Sequence, residues 1–150
     1  MYREQANPIT GRRIRVAIVG CGRIANKHFE ALEKHQDNLE LIAVCDSHPE
    51  TLKAAEARTG AQGYASYPAL LNSADVDAVI LCTPSGMHSP QTIAAARAGK
   101  HVITEKPMAT RWADGQRMVR ACDDAGVSLF VVKQNRRNAT LQLLKQAVEQ

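Results

Sequence analysis

The sequence lacks the cysteine and histidine spacings that are typical of metal sites. Its four cysteines, at positions 21, 45, 82 and 122, form no C-x-x-C pair, and no histidine lies at ligand spacing from them. Three of them fall in or beside the ends of predicted strands, where cysteine behaves as a small apolar residue. We therefore expect free thiols, no bound metal and the reducing environment of the cytoplasm.

Aromatic residues and long apolar runs are also scarce. Aromatic side chains make up 4% of the 150 residues, and none falls within the densest basic segment, residues 133–137. Base stacking therefore has little support, and the net charge of +4 suits an anionic small molecule equally well. No stretch reaches the length of a membrane span, and residues 1–13, a polar N-terminal extension, lack the apolar core of a signal peptide. We expect no nucleic-acid partner and no membrane partner.

Short apolar segments alternate with helical ones along the rest of the chain. The pattern predicts strands at 14–19, 39–45, 77–82, 100–104 and 127–132, with a shorter one near 63–64, and helices at 23–35, 49–59, 68–73, 89–98, 110–124 and 138–150. Short, continuous apolar strands separated by helices are typical of a buried parallel sheet. The predicted fold class is α/β, a doubly wound parallel sheet forming a dinucleotide-binding domain over residues 14–150.

The first predicted strand ends in a glycine-rich turn, G-C-G-R-I-A at residues 20–25. In a dinucleotide-binding turn, Gly20 would permit the tight bend and Gly22 would let the backbone approach a pyrophosphate, while Ala25 would let the helix pack closely on the strand. The N-terminus of that helix attracts phosphates. Because the helix dipole disfavours a cation in the first turn, Arg23 there suggests a contact with a bound anion.

An acidic residue follows the second predicted strand at the spacing used by NAD-binding folds. Asp46 lies 24 residues after Gly22, and an acid about 20 residues on binds the ribose hydroxyls of NAD. Methyltransferases share a glycine turn and a strand-end acid, but they usually carry a third glycine where this chain has Ile24. The sequence therefore predicts NAD as the cofactor, with a first set of contacts at Gly20, Gly22, Arg23, Ile24 and Asp46.

Polar segments at the carboxyl ends of three later strands should open onto the same crevice. These segments are Thr83-Pro84-Ser85-Gly86-Met87-His88, Glu105-Lys106-Pro107 and Lys133-Gln134-Asn135-Arg136-Arg137. Together with the glycine turn and Asp46, they resemble the N-terminal domain of the glucose–fructose oxidoreductase / inositol dehydrogenase (Gfo/Idh/MocA) family over residues 14–150. Ser85 departs from the asparagine that many members carry. Segments 82–86, 111–112 and 133–138 look more narrowly like the bacterial UDP-N-acetylglucosamine and UDP-N-acetylglucosaminuronate 3-dehydrogenases.

This resemblance implies oxidation of a sugar-nucleotide 3-hydroxyl by hydride transfer to NAD, on the route to surface polysaccharide. It implies that Lys106 is catalytic and that the bond from Lys106 to Pro107 is cis. The further implied cofactor contacts are Thr83, Pro84, His88, Glu105, Lys106 and Trp112, and the implied substrate contacts are Lys106, Gln134, Asn135, Arg136 and Arg137. Family members carry a catalytic histidine on a second domain, which residues 1–150 lack. The chain alone is therefore expected to be inactive, and the full-length protein to form homo-oligomers through that domain.

Ordinary alternatives stay open for these residues. Arg23, Lys106 and the pair at 136–137 could be solvated cations, and Glu105 could pair with any nearby base. His88 could be an ordinary first-turn residue, and Trp112 could be a packing residue. For the whole chain, the alternative to an enzyme is a non-catalytic NAD-binding module such as a redox sensor. A short-chain dehydrogenase is disfavoured because no tyrosine begins a Y-x-x-x-K motif.

Overall fold

Strands and helices alternate throughout residues 9–149, the part of the chain described by a computed structural model. The strands are β1 (Ile14–Val19), β2 (Leu39–Cys45), β3 (Gln62–Tyr64), β4 (Ala78–Leu81), β5 (His101–Thr104) and β6 (Leu129–Val131). The helices are α1 (Ala25–Lys34), α2 (Pro49–Thr59), α3 (Tyr67–Ser73), α4 (His88–Arg97), α5 (Trp112–Ala125) and α6 (Ala139–Val148). Short 3-10 turns span Ser85–Met87 and Gln134–Arg137. Every predicted strand and helix is confirmed, with ends that differ by at most two residues; residues 1–8 of the extension and Gln150 lie outside the described range.

The six strands form one parallel sheet in the order β3-β2-β1-β4-β5-β6. The chain builds outward from β1 in one direction through β2 and β3, then returns to add β4, β5 and β6 on the other side. The strand order therefore reverses between β1 and β4, and a crevice opens there at the carboxyl ends of the strands. This arrangement confirms the predicted doubly wound sheet and places the glycine turn at the reversal.

Alternate residues of β1 pack into two separate hydrophobic clusters. Val16 and Ile18 belong to a cluster that includes Ala25 and Phe29 of α1, whereas Ala17 and Val19 belong to a cluster with residues of α3 and α4. Because side chains alternate between the faces of a strand, the two clusters lie on opposite faces of the sheet. The central strand is therefore buried on both sides from Val16 onward, as its apolar residues 16–19 predict.

An ion-pair network ties β1 to β4 at the opposite, amino-terminal edge of the sheet. The Arg12 guanidinium donates to both carboxylate oxygens of Asp77, and Arg15 pairs with the same carboxylate. The Arg12 contact, together with hydrogen bonds from Arg15, holds the pKa of Asp77 well below its usual range. A carboxylate with a lowered pKa stabilises the fold at neutral pH, and that contribution is lost only in strong acid. The end of the predicted extension is thus anchored to the sheet.

The helix α6 begins where the sequence predicts. The Asn138 side chain accepts hydrogen bonds from the backbone N–H groups of Thr140 and Leu141, which caps the helix. The apolar side chains of Leu144 and Val148 are exposed. Neither α6 nor any other helix within residues 9–149 is long and apolar enough to cross a membrane.

Candidate functional site

The glycine turn lies between the ends of β2 and β4, the two strands that flank β1. The Gly20 N–H donates to the carbonyl of Cys45, 2.8 Å away, and Gly20 has a positive φ of 84°. A Cβ atom at this position would lie 2.9 Å from the carbonyl carbon of Cys82 and 3.0 Å from Cγ2 of Thr83. Because an L side chain rarely adopts this φ and the nearest atoms belong to the backbone, only glycine fits here.

The space beside Gly22 is open, and the adjoining helix end lacks a side-chain cap. A Cβ atom on Gly22 would meet no protein atom within 4 Å, so the fold itself does not require glycine there. Ile24 provides no capping hydrogen bond to α1, and the first turn carries no acidic side chain. Uncapped N–H groups and the positive end of a helix dipole bind anions. With the exposed Arg23 alongside, these residues fit the pyrophosphate of a dinucleotide.

Asp46 ties the glycine turn to the start of α2. Its Oδ2 accepts from the Cys21 N–H and its Oδ1 from the His48 N–H, both at 2.8 Å. Each carboxylate oxygen retains a lone pair, so the side chain can also accept from ribose hydroxyls. A cavity of about 470 Å³ adjoins Asp46. It is lined by Gly20, Asp46, Thr83 and Pro84 of the predicted contacts, and also by Val19, Cys45, Ser47, Ala65, Ser66, Tyr67, Met87 and Gln91.

Tyr67 and Gln91 are polar wall residues of this cavity that the sequence analysis did not assign to the site. The Thr83 hydroxyl donates to the side-chain oxygen of Gln91, and the Tyr67 hydroxyl donates to the Gln91 carbonyl, 2.9 Å away. Burial raises the pKa of Tyr67 well above its usual range, so its hydroxyl stays neutral. These bonds fix Thr83 against α4. The signal available in the sequence was a polar residue, Gln91, at a buried position of α4.

Lys106 is brought together with the predicted substrate contacts. The Glu105 N–H donates to the Leu81 carbonyl at 3.0 Å, which extends the pairing of β4 and β5 to the residue before Lys106. The Lys106–Pro107 peptide bond is cis, as the resemblance implies. A cavity of about 360 Å³ is lined by Lys106, Lys133, Gln134, Asn135 and Arg136. Arg137 lies in the same exposed turn but does not line this cavity.

Glu105 pairs with a base that the sequence analysis did not single out. Its Oε1 lies 2.8 Å from Nε2 of His28, and its Oε2 accepts from the Lys106 N–H at 3.2 Å. Both side chains are largely buried, with exposed fractions of 15% for His28 and 9% for Glu105. The predicted contact of Glu105 with the nicotinamide ribose would therefore use the lone pairs that these two bonds leave free. His28 could have been noticed because it shares the buried stripe of α1 with Ala25 and Phe29.

His88 is buried and both of its ring nitrogens face protein carbonyl groups. Nδ1 lies 2.8 Å from the Pro107 oxygen and Nε2 lies 2.9 Å from the Thr83 oxygen. The residue is 1% exposed. Neither nitrogen is free to bond to a ligand, so this placement does not support the expected direct contact with the cofactor. The ring instead links the two loops that follow β4 and β5.

Trp112 lies apart from the glycine-turn cavity. It is the first residue of α5 and is 82% exposed. It lines a different cavity, of about 840 Å³, whose other members include Arg111, Val119 and Arg120. This placement does not support the expectation that Trp112 closes over the cofactor.

The cysteines around the crevice are unsuited to nucleophilic chemistry. Cys21, Cys45, Cys82 and Cys122 are free and buried, as expected for small apolar residues. Burial, aided by Asp46, raises the pKa of the Cys21 thiol to about 12, and burial with Glu105 nearby does the same for Cys82. The thiolate is the reactive form, so these thiols are inert at neutral pH.

We therefore expect the folded chain to resist thiol reagents. At pH 8, Ellman's reagent should release almost no coloured product from the native chain, because the four thiols are buried and protonated. In guanidinium chloride, which unfolds the chain, all four thiols should react rapidly. Rapid reaction of one thiol in the native chain would contradict this assignment, and mass spectrometry would identify the residue.

Comparisons with known proteins show the family of this chain. The family model described as "Oxidoreductase family, NAD-binding Rossmann fold" (GFO_IDH_MocA) matches residues 14–133. The crystal structure of the WlbA dehydrogenase from Chromobacterium violaceum, in complex with NADH and UDP-GlcNAcA, is 65% identical with a TM-score of 0.91 over 95% of this chain. The Bordetella pertussis WlbA dehydrogenase, with the same two ligands, is 59% identical with a TM-score of 0.91 over 95% of this chain.

Proteins of other activities match less closely. The myo-inositol 2-dehydrogenase of Thermotoga maritima is 34% identical over 137 residues, which are 91% of this chain and 41% of that protein. The 4-carboxy-2-hydroxymuconate-6-semialdehyde dehydrogenase of a Sphingobium strain is 36% identical over 133 residues, 87% of this chain and 42% of that protein. The chain also covers 41% of each WlbA chain, so it spans about two fifths of the length of these relatives. The glycine turn, the sheet and the family match together show that the chain belongs to the Gfo/Idh/MocA oxidoreductase family, as its NAD-binding Rossmann domain.

Proposed function

We propose that this chain is the cofactor-binding part of a dehydrogenase that oxidises the 3-hydroxyl of a UDP-N-acetylglucosamine-type sugar nucleotide. The observation that supports this most directly is the cavity that joins Lys106 to the cationic and amide side chains of residues 133–136. An amine beside cationic groups suits an alcohol substrate that carries phosphate or carboxylate. The identity of 65% and 59% with two WlbA dehydrogenases that bind NADH and UDP-GlcNAcA favours this substrate over the inositols and the semialdehyde of the more distant relatives.

The proposed chemistry divides between the cofactor and the chain. When bound, NAD supplies the acceptor for the hydride that leaves the sugar carbon. Lys106 takes the hydroxyl proton at its amine nitrogen, directly or through a proton-transfer partner on the remainder of the protein. Arg136 holds an anionic group of the substrate, since a guanidinium binds carboxylate and phosphate through paired hydrogen bonds. Gln134 and Asn135 supply amide hydrogen bonds to the sugar.

The proposed contacts with the cofactor lie at the glycine turn and around the 470 Å³ cavity. Gly22, Arg23 and the N-terminus of α1 bind the pyrophosphate, and Asp46 binds the adenosine ribose. Thr83 and Pro84 line the same cavity. We further propose that the protein acts in the cytoplasm, where its four thiols stay reduced, and that the complete protein assembles as a homo-oligomer through a second domain.

The choice of cofactor tests this assignment. The chain should bind NAD(H) at least about tenfold more tightly than NADP(H), because the Asp46 carboxylate repels a 2′-phosphate and residues 47–49 contain no arginine to neutralise it. Isothermal titration calorimetry with both nucleotides measures the ratio. Asp46→Asn removes the charge and, because its amide nitrogen cannot accept, also one of the two backbone hydrogen bonds, so it should reduce the preference.

The matched control is Asp37→Asn, which removes an exposed acid near the opposite end of β2. This variant should leave both affinities unchanged. Equal or tighter binding of NADP by the unmutated chain would contradict the role proposed for Asp46. Absence of turnover by the complete protein with any UDP-N-acetylglucosamine-type sugar would contradict the proposed substrate while leaving the cofactor assignment intact.

A further inference from the structure

The residues on either side of Lys106 are each held by a histidine. Glu105, which precedes it, contacts Nε2 of His28 on α1 at 2.8 Å. Pro107, which follows it, has its carbonyl oxygen 2.8 Å from Nδ1 of His88 on α4. Within residues 9–149 the Lys106 side-chain nitrogen itself forms no ion pair. Its position beside the cavity of residues 133–136 therefore depends on its backbone, which these two contacts hold together with the Glu105 N–H bond to Leu81.

We propose that His28 and His88, which we name the histidine clamp, are positioning residues that set where the Lys106 amine lies relative to the cofactor cavity. The proposal rests on the catalytic role proposed above for Lys106. In this proposal neither histidine contacts the substrate or the cofactor. Each acts by fixing a neighbour of Lys106 in the chain.

His28 acts through the Glu105 carboxylate. One oxygen of Glu105 accepts from His28, and the other accepts from the backbone N–H of Lys106 at 3.2 Å. The carboxylate is largely buried, so a lost partner would not be replaced freely by water. Because His28 lies on the helix that begins at the glycine turn, this chain of bonds connects the pyrophosphate site to the Lys106 backbone.

His88 acts on the other side and also reaches the cofactor cavity. Its Nδ1 faces the Pro107 carbonyl, and its Nε2 faces the carbonyl of Thr83, a residue that lines the cavity. Carbonyl oxygens only accept hydrogen bonds, and a neutral imidazole has one N–H to donate. The ring therefore donates to one carbonyl when neutral and to both when doubly protonated. In either form, one rigid ring spaces the Lys106 loop from the Thr83 loop.

The positions of the ring nitrogens allow a selective test by amide substitutions. A glutamine amide reaches roughly as far as Nε2 of histidine, and an asparagine amide roughly as far as Nδ1. In the complete protein, H88N places an amide N–H donor at the Pro107 carbonyl and should retain kcat within about threefold. H88Q should keep only the Thr83 side and lower kcat about tenfold, since small displacements of a catalytic group have effects of this order or larger.

The His28 side of the clamp is tested in the same way. H28F keeps a ring of similar size without a donor and should lower kcat about tenfold, while H28Q should retain kcat within about threefold. The KM for NAD should change less than about threefold in H28F, because the pyrophosphate and adenosine contacts lie elsewhere. Wild-type kcat in H28F, or equal kcat in H88N and H88Q, would overturn the clamp.

The matched control is H101Q. His101 also makes a protein hydrogen bond, accepting from the Ser128 N–H at 3.0 Å, but it lies at the far end of β5 from Glu105. Substitution of His101 by glutamine should lower the free energy of unfolding without lowering kcat. A fall in kcat equal to that of H28F would show that the effect is only structural and would overturn the proposal.

A second readout separates the clamp from the proposed function. In NMR spectra of the chain labelled with 15N-histidine, His28 should show a slowly exchanging proton on Nε2, and E105A should shift that signal.

With the lysines reductively methylated by 13C-formaldehyde, the Lys106 signal can be assigned by its loss in K106R. This signal should shift in H28F and H88Q but not in H101Q. An unperturbed Lys106 signal would overturn the clamp even if the enzyme acts on another substrate. Shifted signals with no turnover of UDP-sugars would instead overturn only the proposed function.

Discussion

Replacing Lys106 by methionine in the complete protein should lower kcat by about 10²–10⁴-fold, the usual contribution of general acid–base catalysis. Methionine keeps much of the side-chain volume but cannot accept a proton from the sugar hydroxyl. The affinity for NAD should change far less, because the glycine turn and Asp46 lie on other strands. Steady-state kinetics with a UDP-sugar at saturating NAD, together with calorimetric titration of NAD, measure the two effects separately.

The control for this substitution is Lys100→Met. Lys100 lies just before β5, at the opposite edge of the sheet from Lys106, and lines neither the 470 Å³ nor the 360 Å³ cavity. Its replacement should leave kcat unchanged. If Lys106→Met regains full activity at saturating NAD, Lys106 only helps to bind the cofactor and is not catalytic.

The strands and helices could be predicted from the sequence because each is marked by local chemistry. Mostly apolar segments at 14–19 and 39–45, each with one charged residue, become strands with those same ends, since their carboxyl-terminal residues are buried in the centre of the sheet. Asn138 forms the predicted cap of the last helix because its side chain bonds to its own following N–H groups. The ends of β6 were less well predicted, since this edge strand is shorter than the apolar segment at 127–132.

The site could be predicted only in part, because the sequence shows which residues lie at strand ends but not which side chains meet. Asp46 was predicted to bind a ribose, yet its two bonds to the backbone of Cys21 and His48 also shape the turn. The pairing of His28 with Glu105 joins residues 77 positions apart, and no local pattern specifies such a contact. Trp112 was assigned to the cofactor by resemblance alone; it lines the 840 Å³ cavity and not the 470 Å³ cavity beside the glycine turn, and its contact with the cofactor stays a prediction.

Substituting Gly20 by alanine should lower the free energy of unfolding by about 2–6 kcal/mol. A φ of 84° costs an alanine about 1–3 kcal/mol, and contact with the Cys82 backbone at 2.9 Å adds about 1–3 kcal/mol of overpacking. Gly60→Ala is the matched control, since Gly60 has a φ of 69° and an added Cβ would meet no atom within 4 Å. It should lose only about 1–2 kcal/mol, for the backbone conformation alone. Urea denaturation of the three proteins measures the difference.

Gly22→Ala separates cofactor binding from stability in the same turn. Gly22 has no positive φ, and an added Cβ would meet no protein atom within 4 Å, so stability should be unchanged or slightly raised. NAD affinity should nevertheless fall about tenfold or more, equivalent to about 1.4 kcal/mol, because the methyl group would occupy the space proposed for the pyrophosphate. Gly60→Ala, in contrast, should bind NAD normally. If Gly22→Ala retains full affinity in calorimetry, the pyrophosphate does not approach this backbone and the proposed placement of the cofactor is wrong.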